Sequence, residues 1–457
     1  MTSRVAATTA DRLVVEPGGP LRGRIRVPGD KSISHRVLLL AALANGESTI
    51  RGLSDGGDVA NTRAIIEALG ATVVEDCDHV DPSGLQMIRV RGGRLGEAGH
   101  DLDVGNSGTG IRLLAGLLAG LPFTSVLDGD ASVRRRPMGR VLEPLRAMGA
   151  SVIGSGLDIG EDAGLAPLNI RGGGLRGIEY RLPVASAQVK GCLLFAGLSA
   201  DGPTTVIEDR PTRAHTEELM AATGIEIVRS HTDGLDRVTV SPGRPDAFTH
   251  DVAGDPSQAA FWAVGASILP GSEVVVANVY EGPGRAGFMK VLTRMGVDLN
   301  HDPGSGDLTV RPPASGVLSA TTVRSDEVPG LVDEVPVLVV AAACADGETI
   351  FEGVGELRFK ESDRLATVES ELGRMGAEVK VEGDRLVVRG RSGGRLRGAA
   401  VNAHHDHRIA MSCAVAGLVA DGPTDISGWN AVATSYPTFA EHLAALLDAG
   451  SKMGSGV

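Results

Sequence analysis

The chain has 457 residues, 42% of them hydrophobic and 22% charged, with 44 basic and 57 acidic side chains and a net charge of −13. That balance suits globular domains and argues against a general nucleic-acid binder, and no apolar run reaches the roughly eighteen residues that a membrane-spanning helix needs. The opening MTSRVAATTADR lacks the apolar stretch of a secretory signal, so a soluble, cytoplasmic protein without membrane partners is expected.

Glycine is unusually common, at 63 residues, and aromatics make up only 3%. The core must therefore be packed from Ala, Val, Leu and Ile. In chain order, six segments begin with a small or polar cluster and run into an apolar stretch: PGDKSISHRVLLLAALA (28–44), GNSGTGIRLLAGLLA (105–119), ASAQVKGCLLFAGLSA (185–200), GDPSQAAFWAVGASI (254–268), VDEVPVLVVAAACA (332–345) and HHDHRIAMSCAVAGLVA (404–420). Each predicts the entrance to a buried helix. Turns and strand-like runs follow, as in GESTIRG, GPTTVIED, GSEVVVANV and GETIFEG. Five units close on a second helix that ends at a glycine, Gly70, Gly149, Gly224, Gly296 or Gly376, followed directly by a strand. The sixth, FAEHLAALLDAG, ends the chain. A period of seventy to eighty residues exceeds that of the common solenoids. Six such α/β units imply two domains of three.

The chemically unusual residues gather at the helix entrances. Several N-termini brought together would form an anion site before any side chain contributed, because each offers unpaired N–H groups and partial positive charge. Lys31, Ser32, Arg36, Asn106, Gly108, Arg112, Ser186, Gln188 and Lys190 lie there, as do Asp333, Glu334, the run Lys360-Glu361-Ser362-Asp363-Arg364, and residues 404–408. Arginine and lysine suit carboxylate and phosphate, and carboxylates among them suit acid–base work. The expected ligand is small and multiply anionic.

Taken singly, each feature has a plainer reading. GDKS (29–32) resembles the end of a phosphate loop but lacks its upstream glycine. Arg134-Arg135-Arg136 alone reads as a solvated basic face, and Asp333-Glu334 alone as a complement to a helix dipole. The histidines of HHDH (404–407) are too closely spaced for a helical metal site, and no metal is expected. Cys77, Cys192, Cys344 and Cys413 read as buried, reduced thiols without a disulfide framework. Repetition at equivalent positions is what raises the set above these readings.

PGDKSISHR, GNSGTGIR, RRRPMGR, SAQVK, TRAHTEE, GDPSQAAF, VDEVP, FKESDR and DHRIAM occur in that order. Together they resemble the 5-enolpyruvylshikimate-3-phosphate synthase family over nearly the whole chain. SAQVK and TRAHTEE look like its class II. The resemblance implies the enolpyruvyl transferase fold, an inside-out α/β barrel of two domains with three βαβαββ repeats each. The domains would be 1–29 with 254–457, and 30–253, with the active site in the cleft between them. It implies transfer of an enolpyruvyl group from phosphoenolpyruvate to the 5-hydroxyl of shikimate 3-phosphate, without cofactor or metal, by a chain expected to be a monomer and to bind the inhibitor glyphosate.

Carried over by motif, Ser32 and Arg36 would hold the shikimate carboxylate. Ser186, Ala187, Gln188 and Arg213 would hold the 3-phosphate, and Lys360 the ring hydroxyls. Lys31, Gly108, Arg136, Gln188, Arg364 and Arg408 would bind phosphoenolpyruvate. Asp333 would be the base and Glu361 the acid, with Lys31 completing the catalytic set; Lys31 and Asp333 would also touch shikimate 3-phosphate. Glu356 and Thr434 stand where the class I pattern is not kept, and are left out of the set. The sister family acting on UDP-N-acetylglucosamine commonly carries a reactive cysteine in the loop that here reads ASVRRRPMGR (131–140), which has none. A non-catalytic relative would lack Asp333, Glu361 or Lys31, and all three are present.

Overall fold

The computed structural model describes residues 5–9, 11–75, 85–155, 164–390 and 396–454. The chain divides into two compact units, residues 29–252 and residues 1–28 with 253–457.

Among the described residues of the unit 29–252 the helices are α1 (Lys31–Leu43), α2 (Gly57–Ala68), α3 (Gly108–Ala119), α4 (Gly139–Ala147), α5 (Ala187–Gly197) and α6 (His215–Ala222). From their second turns onward α1, α3 and α5 are buried on nearly every face, as expected of Ala/Leu/Gly-rich helices without a polar stripe. Helices α2 and α4 are one-sided, burying Val59, Thr62, Ile65 and Ile66 in one case and Val141, Leu142 and Leu145 in the other. Three sheets share one plan. A short strand lies parallel to the strand that follows a buried helix, and an antiparallel hairpin extends the sheet: Leu102–Asp103, Thr124–Asp128, Leu165–Arg171, Ser151–Ser155 is one example. Period-two burial in Thr124–Asp128 is the mark of a sheet with one wet face. In the first sheet the leading strand is Thr249–Asp251, from the far end of the unit, so the unit closes on itself.

The other unit contains α7 (Pro256–Ile268), α8 (Gly287–Arg294), α9 (Val335–Ala343), α10 (Arg364–Arg374), α11 (His407–Gly417) and α12 (Phe439–Gly454). Although α9 is rich in β-branched valines that favour strands, it is helical and buried throughout; enclosure outweighs its weak intrinsic preference. Trp262 of α7 stacks on Phe439 of α12 with centroids 4.6 Å apart, and its indole N–H donates to the Tyr436 hydroxyl at 2.9 Å. The three sheets repeat the plan, with two differences. A second short strand, Thr322–Val323, also runs parallel to Ala345–Phe351. Thr424–Ser427 is followed across its sheet by Arg12–Val15 and then Val5–Thr9, so the chain's opening residues complete the last repeat. Leu13 and Val15 are fully buried there.

Helices α2, α4, α6, α8 and α10 run into Gly70, Gly149, Gly224, Gly296 and Gly376, all at left-handed φ between +83° and +104°. A side chain would be strained at these positions, so the closing glycines are a backbone requirement. Helix α12 instead continues past Gly450.

Candidate active site

In the unit 29–252 the entrances of α1, α3 and α5 are joined side chain to side chain. Asp30 caps α1, accepting from the Ile33 N–H at 2.9 Å, and Ser107 caps α3, accepting from Gly110 at 3.0 Å. Ser186 caps α5, accepting from Val189 at 3.4 Å. These caps satisfy N–H groups that have no partner within the helix. His35 bridges α1 to α3, with Nδ1 2.7 Å from Thr62 Oγ1 and Nε2 3.3 Å from the Ser107 hydroxyl. Gln188 donates to Thr109 Oγ1 at 3.0 Å, joining α5 to α3.

Lys31, in the first turn of α1, donates to Asp58 at 2.7 Å. Arg36 donates to Thr216 Oγ1 at 2.7 Å and to the Ser32 carbonyl at 2.9 Å, linking α1 to the first turn of α6 beside Arg213. The run Arg134-Arg135-Arg136 divides. Arg134 is exposed and pairs with Asp128 at 2.9 Å, Arg135 is exposed, and Arg136 is buried. The solvated-face reading thus holds for two of the three. A Cβ built on Gly108 would stand well inside contact distance of Arg136 Nη1 and 3.1 Å from Arg112 Nη1. Arg112 also donates to the Gly108 carbonyl at 2.8 Å.

In the other unit the buried guanidinium of Arg364 is the centre of an ion network. It donates to Asp406 at 2.8 and 3.3 Å, to Glu361 at 2.6 Å and to Asp333 at 3.3 Å. Burial works against its charge, but Asp406, Glu361 and Asp333 raise its pKa above the ordinary arginine value. Lys360 Nζ lies 3.5 Å from Asp333 Oδ1, and Arg408 Nη1 donates to the Asp333 carbonyl at 3.1 Å. Asp406 also caps α11, accepting from the Arg408 N–H at 2.9 Å, and accepts from Ser362 at 3.1 Å. Glu334 makes no side-chain cap to α9. It accepts from the Ser257 hydroxyl, to which Arg285 donates at 2.9 Å while also donating to Asp255 at 2.6 Å.

Sequence reasoning left Asp58, Asp255, Arg285 and Asp406 unassigned. A cap signal was available for Asp255 and Asp406, each directly before an apolar helix; Asp58, in the first turn of α2, and Arg285, in a turn before α8, carry no distinguishing pattern. Of the HHDH histidines, His404 pairs with Glu371 at 3.1 Å, while His407 is buried with Nδ1 3.5 Å from Thr434 Oγ1. Glu356 is exposed. Cys192 and Cys413 are buried free thiols, and burial pushes Cys413 up to about 12. Cys344 is free and half-buried, and Cys77 lies outside the described residues.

The family model of EPSP synthase (3-phosphoshikimate 1-carboxyvinyltransferase) matches residues 15–443. The chain belongs to the EPSP synthase family. A 3-phosphoshikimate 1-carboxyvinyltransferase of Gloeobacter violaceus is 47% identical over 94% of this chain and 98% of its own length. One from Chloroflexus aurantiacus is 47% identical over 94% and 97%. The solved structure of EPSP synthase from Acinetobacter baumannii superposes with a TM-score of 0.79 at 37% identity, covering 95% of this chain and 98% of that one. The enolpyruvyl transferase NikO from Streptomyces tendae shares the fold, with a TM-score of 0.74 at 19% identity over 95% and 97%. The six repeats, three per unit, are therefore those of the enolpyruvyl transferase fold.

His35 provides a pH test of the EPSP synthase fold's helix junction. Burial, then Lys31 and Arg36, lower its pKa to about 3. The folded value lies below the unfolded one, so His35 adds no pH dependence above about pH 6.5, where it is neutral in both states. Its share of stability is lost as pH falls from there towards the folded value. Its imidazole resonances should not titrate near pH 6.5, and His35→Gln should lose less stability than the wild type on acidification. A midpoint near the free-histidine value would contradict the buried, neutral assignment.

Proposed function

We propose that this chain transfers the enolpyruvyl group of phosphoenolpyruvate to the 5-hydroxyl of shikimate 3-phosphate, yielding 5-enolpyruvylshikimate 3-phosphate and phosphate. Membership of the EPSP synthase family supports the reaction class. The observation that carries the reading to the residues is the placing of Asp333 and Glu361 on one buried guanidinium, Arg364, with Lys360 and Arg408 beside Asp333.

In this reading Asp333 takes the proton of the 5-hydroxyl as its oxygen attacks C2 of phosphoenolpyruvate. Glu361 gives a proton to C3, forming a tetrahedral intermediate. Glu361 then recovers a proton from C3 as the C2–O bond to phosphate breaks. One carboxyl must be ionised while the other carries a proton. Lys31, Arg136, Arg364 and Arg408 stabilise the charge of the intermediate and the departing phosphate, and because Arg364 and Arg408 are buried and already held by hydrogen bonds, little reorganisation of these two accompanies the step. Gly108 and Gln188 complete the phosphoenolpyruvate set. Ser32 and Arg36 take the shikimate carboxylate, Ser186, Ala187, Gln188 and Arg213 its 3-phosphate, and Lys360 its ring hydroxyls. No step calls for a metal or organic cofactor. We place the protein in the cytoplasm as a monomer.

Asp333→Asn and Glu361→Gln should each lower turnover by about 10²–10⁴ while shikimate 3-phosphate still binds. Phosphate release with both substrates, compared with each alone, measures this. Turnover near wild type in both variants would refute the assigned roles, and equal turnover with UDP-N-acetylglucosamine would refute the acceptor.

Glyphosate, which carries a phosphonate at one end and a carboxylate at the other, should compete with phosphoenolpyruvate beside Gly108. Adding a methyl group there forces the Arg136 guanidinium to move, and such overpacking typically costs about 1–3 kcal/mol. In Gly108→Ala the glyphosate inhibition constant should rise by a larger factor than the phosphoenolpyruvate KM. Equal rises, or a wild type indifferent to glyphosate, would contradict this view of the pocket.

A further inference from the structure

Lys190 lies one turn into α5, 1% exposed, and its ammonium meets two carboxylates that are each 2% exposed. It donates to Glu208 at 2.7 Å and to Glu217 at 2.9 Å, and lies 3.5 Å from the Thr212 carbonyl. Three donors thus have three acceptors, which is the full capacity of an ammonium group. The Thr212 hydroxyl donates to the second oxygen of Glu208. Glu208 ends the strand Thr204–Glu208, and Glu217 lies in the first turn of α6. The residues between them, 209–214, form neither helix nor strand and include Arg213. One buried charge therefore grips both ends and the middle of an otherwise irregular segment. Through its own backbone N–H it also bonds to the Ser186 carbonyl at 3.0 Å, in the turn that carries Ala187 and Gln188.

We propose that Lys190, clamped between Glu208 and Glu217, is the positioning residue for the phosphate of the acceptor: it fixes Arg213 relative to the entrance of α5. The inference rests on the shikimate 3-phosphate reading above. It follows from the cost of buried charge. Without the ammonium, two carboxylates would face each other in a dry interior, and the segment 209–214 offers the easiest relief by moving outward. Arg213 would move with it, whereas Ser32 on α1, assigned to the acceptor's carboxylate, would not, and Arg36, though bonded to Thr216, is also held by the Ser32 carbonyl at 2.9 Å. The effect should be largest at the phosphate end of the ligand.

The discriminating measurement compares shikimate 3-phosphate with shikimate, which lacks the phosphate, by titration calorimetry, alongside KM for both substrates. Lys190→Met should weaken shikimate 3-phosphate by about tenfold or more, the usual worth of a charged hydrogen bond. Shikimate binding should fall by a clearly smaller factor, and the phosphoenolpyruvate KM should stay near wild type. Thr212→Val removes the hydroxyl tie while leaving all three buried charges in place. It should shift the same preference by a smaller factor, and answers alone should Lys190→Met fail to fold. An equal loss for both ligands, or none for either, in variants of an active wild type would overturn the inference alone. A wild type that does not bind shikimate 3-phosphate would overturn the proposed function and this inference with it.

Discussion

A helix entrance buried in protein cannot leave its first N–H groups to water, and that constraint organises the candidate site. Asp30, Ser107, Ser186, Asp255 and Asp406 each supply a side-chain oxygen to the first turn of a buried helix. Helix α9 has no side-chain cap, and Pro336 in its first turn has no N–H to satisfy. The three capping acids are themselves buried charges and require partners. Asp255 has Arg285, and Asp406 has Arg364. Local backbone chemistry thus dictates acids at these entrances, and the acids in turn hold arginines in fixed orientation.

The arginines so held are suited to stabilising charge that moves during a reaction. Arg364 is oriented by Asp406 from behind and reaches Glu361 and Asp333 with its remaining hydrogens. The pair assigned to acid and base work is therefore linked through one cation. In the unit 29–252 Asp58 holds Lys31, and uncharged side chains join the helix entrances: His35, kept neutral by burial, lies between Thr62 and Ser107, and Gln188 reaches Thr109. A charged imidazole there would oppose Lys31 and Arg36.

Much of this was legible in the sequence because the repeats place similar signals at similar points. All six buried helices begin where the polar-to-apolar transitions predict, and the five closing glycines have the left-handed geometry that such a break requires. The N-terminal hairpin was not legible. Its partner strand, Thr424–Ser427, lies almost the whole chain away, and a short apolar alternation does not reveal which sheet it joins. Nor could composition decide which of Arg134, Arg135 and Arg136 is buried, since a single turn of 3-10 helix at Val133–Arg135 sets their directions. Lys190 is legible as one of the polar residues at its helix entrance, but Glu208 and Glu217 are ordinary glutamates until the fold encloses them.

The double duty of Asp406, as cap for α11 and as counter-charge for Arg364, is the point on which the account depends. Replacing it by asparagine keeps a capping oxygen and removes the charge, whereas alanine removes both. Thermal unfolding and the phosphoenolpyruvate KM, measured on the two variants, separate the roles. The account predicts that Asp406→Asn raises the KM by about tenfold or more, as loss of a charged hydrogen bond implies, and that Asp406→Ala adds a further stability loss of about 1 kcal/mol for the missing cap. An Asp406→Asn protein that binds phosphoenolpyruvate as the wild type does would contradict it.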